Sequence, residues 1–513
     1  MKEKVTFEDI YNMIFKEEDS NKEYIIAYDD EKRIMYNKKQ YQMLINKMSR
    51  FLKFIYPNIK VGDWIGLKYH NNYLYYAVVF GAMKLGWNIL LLGNKSESNN
   101  RYRYEIDVEL IAILDNNILD NFNNGAIDIQ CLNSKFEKNI WSSKVAFLSS
   151  GTTGKPQVII YHAYAILNQI RNVKYEFLRN ETLADIVYKT DNSYRKIVTF
   201  LPMNHILGFL LPLILITLDL KVVFLSDQTP YGIIKGIKNE NALGSFGVPM
   251  VWNLIKNILK RRYSQNREGV DKLLGENFKI ILSGGSRTDA SIRNSYIRAG
   301  IEFFVGYGLT ETGFLSIGKS DLNDCESEGK VYDNYEIKVL TSDGSIRNEG
   351  TGEIIVKSDS IYTASIKDKK EIRPELIKGM YYRTGDIFEL KNRKLFLKGR
   401  MKNIIVDESG ENIYAEELEE FFKDIKSKGI VYFISEYKNR ATMFIDRNTH
   451  KRISKEYIIE LIREKNKNLP ISKKILKVLF LNVNIEFTQK GDPIRILKED
   501  RDIGEVFNIK GVR

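Results

Sequence analysis

The residue types most able to do chemistry in this 513-residue chain gather in one short run rich in glycine and hydroxyls. Residues 147–156 read FLSSGTTGKP, directly after the strand-like stretch KVAF. Small residues let backbone N–H groups approach phosphate oxygens. The hydroxyls of Ser149, Ser150, Thr152 and Thr153 add donors, and Lys155 adds positive charge. The run is not a Walker A loop, which needs four residues between its glycines and a Ser or Thr after the lysine. Here Thr152 and Thr153 alone separate Gly151 from Gly154, and Pro156 follows Lys155. An isolated Gly/Thr stretch is more often a surface turn; this density of donors behind a strand points to a phosphate cradle.

The elements that must position such a loop alternate along the chain. WIGLKY reads as a strand, NNYLYYAVVFGAMKLG as a helix and WNILLLG as a strand. VELIAILD, KVAFLSS, KIVTFLP, KVVFLS, FKIILSGG and IEFFVGYG follow as short apolar runs, most of them ending in Ser, Gly or Pro. This rhythm predicts an α/β fold with a largely parallel sheet, whose strand carboxyl ends collect ligands. TFEDIYNMIFKEE, with Thr6 as a cap, and the stretch NKKQYQMLINKMSRFLKFIY predict two amphipathic helices. From residue 335 short strands separated by DG, NEGTG and NRK predict an antiparallel sheet or small barrel. After Arg400 the pattern becomes α+β, with one helix expected over 416–428.

Composition sets limits. Apolar residues make up 43% of the chain and charged residues 28%, which excludes a disordered or fibrous chain. Two cysteines exclude a disulfide scaffold, and four histidines leave little for a His-rich metal site. The net charge of +12 accompanies a Lys-, Ile-, Asn- and Tyr-rich composition, without an RNP, zinc-finger or basic-helix pattern. No nucleic-acid partner is expected. The most apolar run, 207–218, contains Pro212 and predicts a buried helix rather than a membrane span. The charged start lacks the apolar core of a signal peptide, so a soluble, cytoplasmic protein is expected.

Further motifs follow the loop in a fixed order. Pro202, His205 and Gly208 form PxxHxxG; residues 306–312 read GYGLTET; residues 382–386 read YRTGD; Gly399, Arg400 and Lys402 precede GENIYAEELE at 410–419. Together with SSGTTGKP, the set over residues 140–495 resembles the adenylate-forming superfamily of acyl-CoA synthetases, adenylation domains and luciferases. Its style is closest to bacterial fatty-acyl and acyl-CoA synthetases. The resemblance implies a large domain, residues 1–399, of two doubly wound sheets plus a small barrel-like subdomain. A small mobile α+β domain, 400–513, would follow. It also implies an ATP-dependent ligase that makes acyl-AMP and pyrophosphate, then passes the acyl group to a thiol.

Roles carry over by motif. Ser149, Ser150, Gly151, Thr152, Thr153, Gly154 and Lys155 would wrap the outer phosphates. Thr310 would touch the α-phosphate and Glu311 would hold Mg²⁺, a hard cation that suits oxygen donors. Tyr307, beside Gly308, would stack on adenine, with Gly284, Gly285 and Ser286 along the adenine edge. Asp386 would accept from the ribose hydroxyls and Arg400 would donate to them. His205 would border the carboxylate, Gly247 and Gly306 would leave room at the pocket floor, and Lys402 would be the hinge. The cofactors implied are ATP, Mg²⁺ and either CoA or the phosphopantetheine of a free-standing acyl or peptidyl carrier protein.

One motif departs from the pattern. Where the family has a lysine in PxxxxGKIxR, this chain has Asp492, within TQKGDPIR. A negative charge there opposes stabilisation of phosphate charge. Lys490 could take over, the motif could be rebuilt around Arg495 or Lys498, or adenylate formation could be crippled. Ala415 replaces the usual proline after GENIY. No acid lies in Met203-Asn204-His205-Ile206 to pair with a substrate ammonium, so an α-amino acid is disfavoured and a fatty or aryl acid expected. The alternatives are a weakened or non-catalytic adenylate-binding homologue and an amino-acid adenylating enzyme.

Overall fold

The computed structural model describes the chain apart from residues 1–3, 16–21, 30–31, 69–71, 94–107, 117–121, 123–139, 150–156, 226, 325, 368, 407–411, 439, 471–472, 488–492, 496–501 and 510–513. By internal contacts the chain divides into two compact units. One comprises residues 1–336 and 357–382, the other 337–356 and 383–513. The expected domain boundary at 399/400 falls inside the second unit.

The first unit holds two sheets. Strands β1 (Glu23–Asp29) and β2 (Lys32–Asn37) form a hairpin that the sequence reading did not place. Strands β3 (Trp64–Lys68), β4 (Asn88–Leu92), β5 (Ala112–Asp115) and β6 (Lys144–Ser149) run parallel in the order β5-β3-β4-β6. Strand β7 (Gln157–His162) adds antiparallel to β6, and the strand Ala364–Lys367 adds antiparallel to β7. The larger sheet contains β8 (Lys196–Thr199), β9 (Lys221–Phe224), β10 (Gly244–Gly247), β11 (Ile280–Gly284) and β12 (Glu302–Leu309). These are parallel, in the order β12-β11-β10-β8-β9, and β1 joins beside β9. Strands β13 (Gly313–Lys319) and β14 (Ser327–Val331) extend it antiparallel beyond β12. The α/β reading with parallel strands is therefore correct. The four-residue β10, GSFG, escaped it because two of its residues are glycine.

Helices cover these sheets. Helix α1 (Phe7–Phe15) buries Phe7, Ile10, Ile14 and Phe15 at helical spacing. Helix α2 (Lys38–Ile55) starts where expected: the Gln40 N–H donates to Asn37 Oδ1 at 2.7 Å and the Asn37 N–H to Gln40 Oε1 at 2.9 Å, a reciprocal cap. Helix α3 (Tyr75–Met83) is buried along its whole length. Helix α4 (Ala163–Arg179) follows β7 directly. Helix α5 (Ile206–Thr217) is the apolar run with Pro212 inside, and it is buried against protein as predicted. Among the described residues, no helix is long and apolar enough to cross a membrane.

In the second unit, antiparallel strands Tyr381–Lys391 and Lys394–Arg400 lie at one side of a sheet that includes Gly350–Lys357 and Glu336–Leu340. A four-stranded sheet of Tyr432–Glu436, Ala441–Ile445, Lys477–Leu481 and Ile503–Asn508 forms the C-terminal part. The single helix expected over 416–428 is two, Ala415–Phe421 and Lys423–Ser427. The break at Phe422 lets Leu418, Phe422 and Ile425 enter one core with Ile434, Met443 and Ile458.

A buried carboxylate fastens the β1–β2 hairpin to the larger sheet. Glu240 is 2% exposed and accepts from Arg33 Nε at 2.7 Å, Arg33 Nη2 at 3.0 Å, Lys196 Nζ at 3.1 Å and the Tyr28 hydroxyl. Burial pushes its pKa up, but these donors win and bring it down to about 2. A depressed carboxylate stabilises the fold above its unfolded value near 4.5 and loses that contribution as pH falls through about 2. Glu240→Gln should therefore cost on the order of 2 kcal/mol at neutral pH. In urea titrations the gap to the native chain should close steadily between those two pH values. A gap independent of pH would contradict this account.

Candidate functional site

The residues with candidate roles in the first unit lie at strand ends. Ser149 closes β6; residues 150–156, which include Ser150, Gly151, Thr152, Thr153, Gly154 and Lys155, lie outside the described residues. His205 follows β8 and stands immediately before α5; its N–H donates to Pro202 O at 3.1 Å, and its carbonyl accepts from Phe209 N at 2.9 Å. Gly247 ends β10, Gly284 ends β11, and Tyr307 and Gly308 lie in the last turn-ward residues of β12. Because β8, β10, β11 and β12 are neighbours, four of these segments share one edge of one sheet.

Gly284 and Gly306 are register partners across β11 and β12, leaving a strip of bare backbone there. A Cβ on Gly306 would approach only the Ser316 carbonyl, at 3.2 Å, among the described residues. Gly247 differs. A Cβ there would lie 2.5 Å from Phe200 Cζ and 3.1 Å from Trp252, so the space it leaves is filled by core aromatics. The adjoining loop is held from beneath. Ser283 and Thr288 hydroxyls bond at 2.8 Å, and the buried Arg293 donates to Thr288 O at 2.9 Å, Ser327 O at 2.6 Å and Glu328 at 2.6 Å. Arg293 lies on helix α6 (Ala290–Arg298) and was not singled out from sequence.

Residues 310–312 form the tight turn between β12 and β13, rather than an open loop. A bulge falls between Tyr307 and Gly308, which re-aims the chain just before the turn. Gly308 must be glycine: a Cβ there would lie 2.0 Å from the Gly313 carbonyl. Within the turn the Thr312 hydroxyl accepts from Leu309 N at 3.2 Å. All three turn carbonyls are then taken up by different elements. The Tyr161 hydroxyl on β7 donates to Thr310 O at 2.8 Å. The Tyr362 N–H donates to Glu311 O at 2.9 Å. Gln169 Nε2 on α4 donates to Thr312 O at 3.3 Å and to Ser360 O at 2.8 Å. Burial first, and the Glu311 charge second, raise both phenols, Tyr362 to about 12, so Tyr161 stays protonated and remains a donor.

In the second unit Asp386 and Arg400 are direct cross-strand partners, with Arg400 Nε 3.4 Å from Asp386 Oδ1. Asp386 is buried and Arg400 half-exposed. The turn before Asp386 rests on Glu353, a buried carboxylate that sequence reading missed. Glu353 pairs with Arg383 at 2.6 Å and accepts from the Gly385 N–H at 2.9 Å. The Thr384 hydroxyl donates to Ile354 O at 2.7 Å, and Gly385 adopts φ +73°, a conformation suited to glycine. Lys402 sits in the short turn Met401–Asn403. Partial burial, then the charges of Arg400 and Arg495, hold its ammonium below the ordinary lysine value.

Lys490 and Asp492 lie outside the described residues, as does Lys498. Their flanks are closed by a bridge between Phe487 and Pro493 and by the Ile494 N–H donating to Glu486 O at 2.8 Å. Arg495 is engaged with the GENIYAEELE segment. It donates to Glu419 at 2.8 Å and to Ile434 O at 3.2 Å, with Glu416 at 3.7 Å. Burial pushes the Glu419 carboxyl up against the pull of Arg495. This arginine is a strut between two motifs.

Residues 111–364 match the family described as AMP-binding enzyme. Over that stretch, just under half of its length, the chain is similar to AMP-binding enzymes. It is similar to the long-chain-fatty-acid–CoA ligase FadD13 of Mycobacterium tuberculosis, 24% identical over 276 residues, covering 53% of this chain and 50% of FadD13. It is also similar to the 2-succinylbenzoate–CoA ligase of Lactococcus lactis, 26% identical over 422 residues, covering 77% and 80% of the two chains. The first curated relatives are matched over 60% and 50% of their lengths. The fold agrees with that of O-succinylbenzoate coenzyme A synthetase (MenE) from Bacillus subtilis in complex with AMP, at TM-score 0.73 and 18% identity. That likeness covers 96% of this chain and 98% of MenE.

Glu353 supplies a direct check on the Asp386 segment. Glu353→Gln removes the ion pair to Arg383 but can still accept from Gly385. It should cost about 1–3 kcal/mol of stability, measured by thermal melting. An unchanged melting temperature would contradict this account.

Proposed function

We propose that this chain is an ATP-dependent carboxylate–thiol ligase acting through an acyl-adenylate. The observation that carries the reading is the shared edge of β8, β10, β11 and β12, where His205, Gly247, Gly284 to Ser286 and the 307–311 segment follow neighbouring strands. Parallel sheets bind nucleotides at such carboxyl ends. The order of motifs and the ligase names of the relatives support the same reaction class.

In the first step a carboxylate oxygen attacks the α-phosphorus of ATP and the bond to pyrophosphate breaks. The Thr310 hydroxyl donates to an α-phosphate oxygen, and the 149–155 loop wraps the outer phosphates. Tyr307 stacks on adenine along the Gly284–Gly285–Ser286 backbone, while Asp386 and Arg400 hold the ribose. His205 borders the carboxylate. Glu311 and the neighbouring Thr310 hydroxyl offer the oxygen donors that Mg²⁺ prefers. Bound there, the ion neutralises phosphate charge. In the second step a thiolate sulfur attacks the acyl carbon and AMP leaves. Lys402 serves as the pivot between the steps, in keeping with a large domain 1–399 and a mobile domain 400–513.

The substrate is a fatty or aryl acid. The 203–206 segment has no acid for an ammonium, Gly306 leaves bare backbone, and Phe200 closes the side beside Gly247. The acceptor is CoA, with a carrier-protein phosphopantetheine as the alternative. Asp492 supports a second reading, a homologue that binds nucleotide and forms adenylate weakly.

ATP–pyrophosphate exchange across a panel of fatty, aryl and amino acids separates these readings. The ligase reading expects exchange that depends on one fatty or aryl class. No exchange with any acid would contradict it. Asp492→Lys should leave exchange unchanged or lower if Lys490 has taken over. An increase of about 10²-fold would instead mark the native site as weakened.

A further inference from the structure

Three consecutive carbonyls pointing into protein are unusual in a surface hairpin turn, where water normally satisfies them. Here Thr310 O, Glu311 O and Thr312 O each meet a donor from a different element: β7, the segment before Ala364–Lys367, and α4. The topology explains the meeting. The strand Ala364–Lys367 pairs with β7, so Tyr161 and Tyr362 approach from adjacent positions at one sheet edge, and Thr363 N bonds Ile160 O at 2.8 Å. Gln169 lies two turns along α4 and bridges the turn to Ser360 O. It is wholly buried, and a Cβ on Gly313 would lie 1.8 Å from its Oε1, so the turn is fitted around this side chain.

We infer that Tyr161 and Gln169 are positioning residues that orient the 310–312 turn, so that the Thr310 hydroxyl and Glu311 carboxylate face nucleotide phosphate and its divalent cation together. With all three carbonyls bonded to protein donors, the turn cannot rotate its peptide planes without breaking one of these bonds, of which that of Thr312 is buried and that of Thr310 half-buried. Neither residue touches the ligand. Each acts through a backbone carbonyl, and neither belongs to the motifs that carry the resemblance. The inference rests on the reading of this turn as a phosphate and cation site. It does not need the acid-ligase chemistry.

Neighbouring Asn172 supplies the control. It sits on the same helix, is buried in the same polar network, and donates to Ser360 Oγ at 3.0 Å while accepting from Asn334 at 2.8 Å. No hydrogen bond runs from it to the turn. A purely structural role would make all three positions behave alike.

The test is isothermal titration of ATP with and without Mg²⁺, using the full chain and the variants Tyr161→Phe, Gln169→Met and Asn172→Leu, alongside their melting temperatures. The expected result is that Tyr161→Phe and Gln169→Met lose about tenfold or more of the Mg²⁺-dependent tightening. Their metal-free ATP affinity should stay within about twofold. Asn172→Leu should lower the melting temperature comparably while keeping the tightening. Tyr161→Phe removes one oxygen and keeps the ring, so it holds the question open if Gln169→Met fails to fold. The inference is overturned if Tyr161→Phe keeps the native tightening, if Asn172→Leu loses as much, or if the native chain shows no Mg²⁺-dependent tightening. Failure of the ligase reading is seen separately: no pyrophosphate exchange with any acid, while Mg²⁺–ATP binding and its loss in the two variants persist.

Discussion

The 310–312 turn depends on hydrogen bonds it cannot make for itself. A β-turn between antiparallel strands ordinarily leaves carbonyls to solvent. This one hands all three to protein donors drawn from the other sheet of the same unit, from the segment beside it and from a buried helix. Leaving the buried Thr312 carbonyl unsatisfied would cost about 1–3 kcal/mol, and the half-buried Thr310 bond adds to the cost of rotating the turn. Their consequence is directional. When every acceptor faces inward, the side chains of Thr310 and Glu311 have a fixed relation to the ends of β11 and β12. Preorganisation of this kind is what charge stabilisation at a reacting phosphate requires.

The second unit repeats the logic with a carboxylate in place of a hydroxyl. Asp386 owes its position to strand register opposite Arg400, and the turn before it to Glu353 and the Ile354 carbonyl. Arg495 performs the same service for the C-terminal motif by pairing with Glu419. Residues proposed to have direct chemical roles are thus held by a second set, spread over the sequence. Arg293 beneath the loop after β11 belongs to this set as well.

The two sets differed in how visible they were in the sequence. Parallel strands announced themselves as short apolar runs ending in Ser, Gly or Pro, and the motifs sat at their ends, so the α/β fold and the candidate positions were legible. The GSFG strand β10 was not, because glycine carries no apolar signal and its burial is set by neighbours on both sides. The β1–β2 hairpin was hidden in a stretch of mixed charge, where Arg33 reads as a surface residue until Glu240 is seen opposite it. Tyr161, Gln169 and Glu353 were invisible for a related reason. Each contacts its partner across thirty residues of sequence or more, which no local pattern encodes. The expectation that Gly247 leaves room failed to foresee Phe200, since the occupant of a space comes from packing and not from the glycine.

The central claim is that the ends of β11 and β12 and the 310–312 turn serve one nucleotide. A crystal structure of the chain with AMP bound tests it most directly. The account predicts an α-phosphate oxygen within hydrogen-bonding distance of the Thr310 hydroxyl and adenine against Tyr307. The carbonyls of residues 310–312 should keep their bonds to Tyr161, Tyr362 and Gln169. AMP bound away from the turn, or a turn that rotates and releases those three bonds on binding, would contradict it.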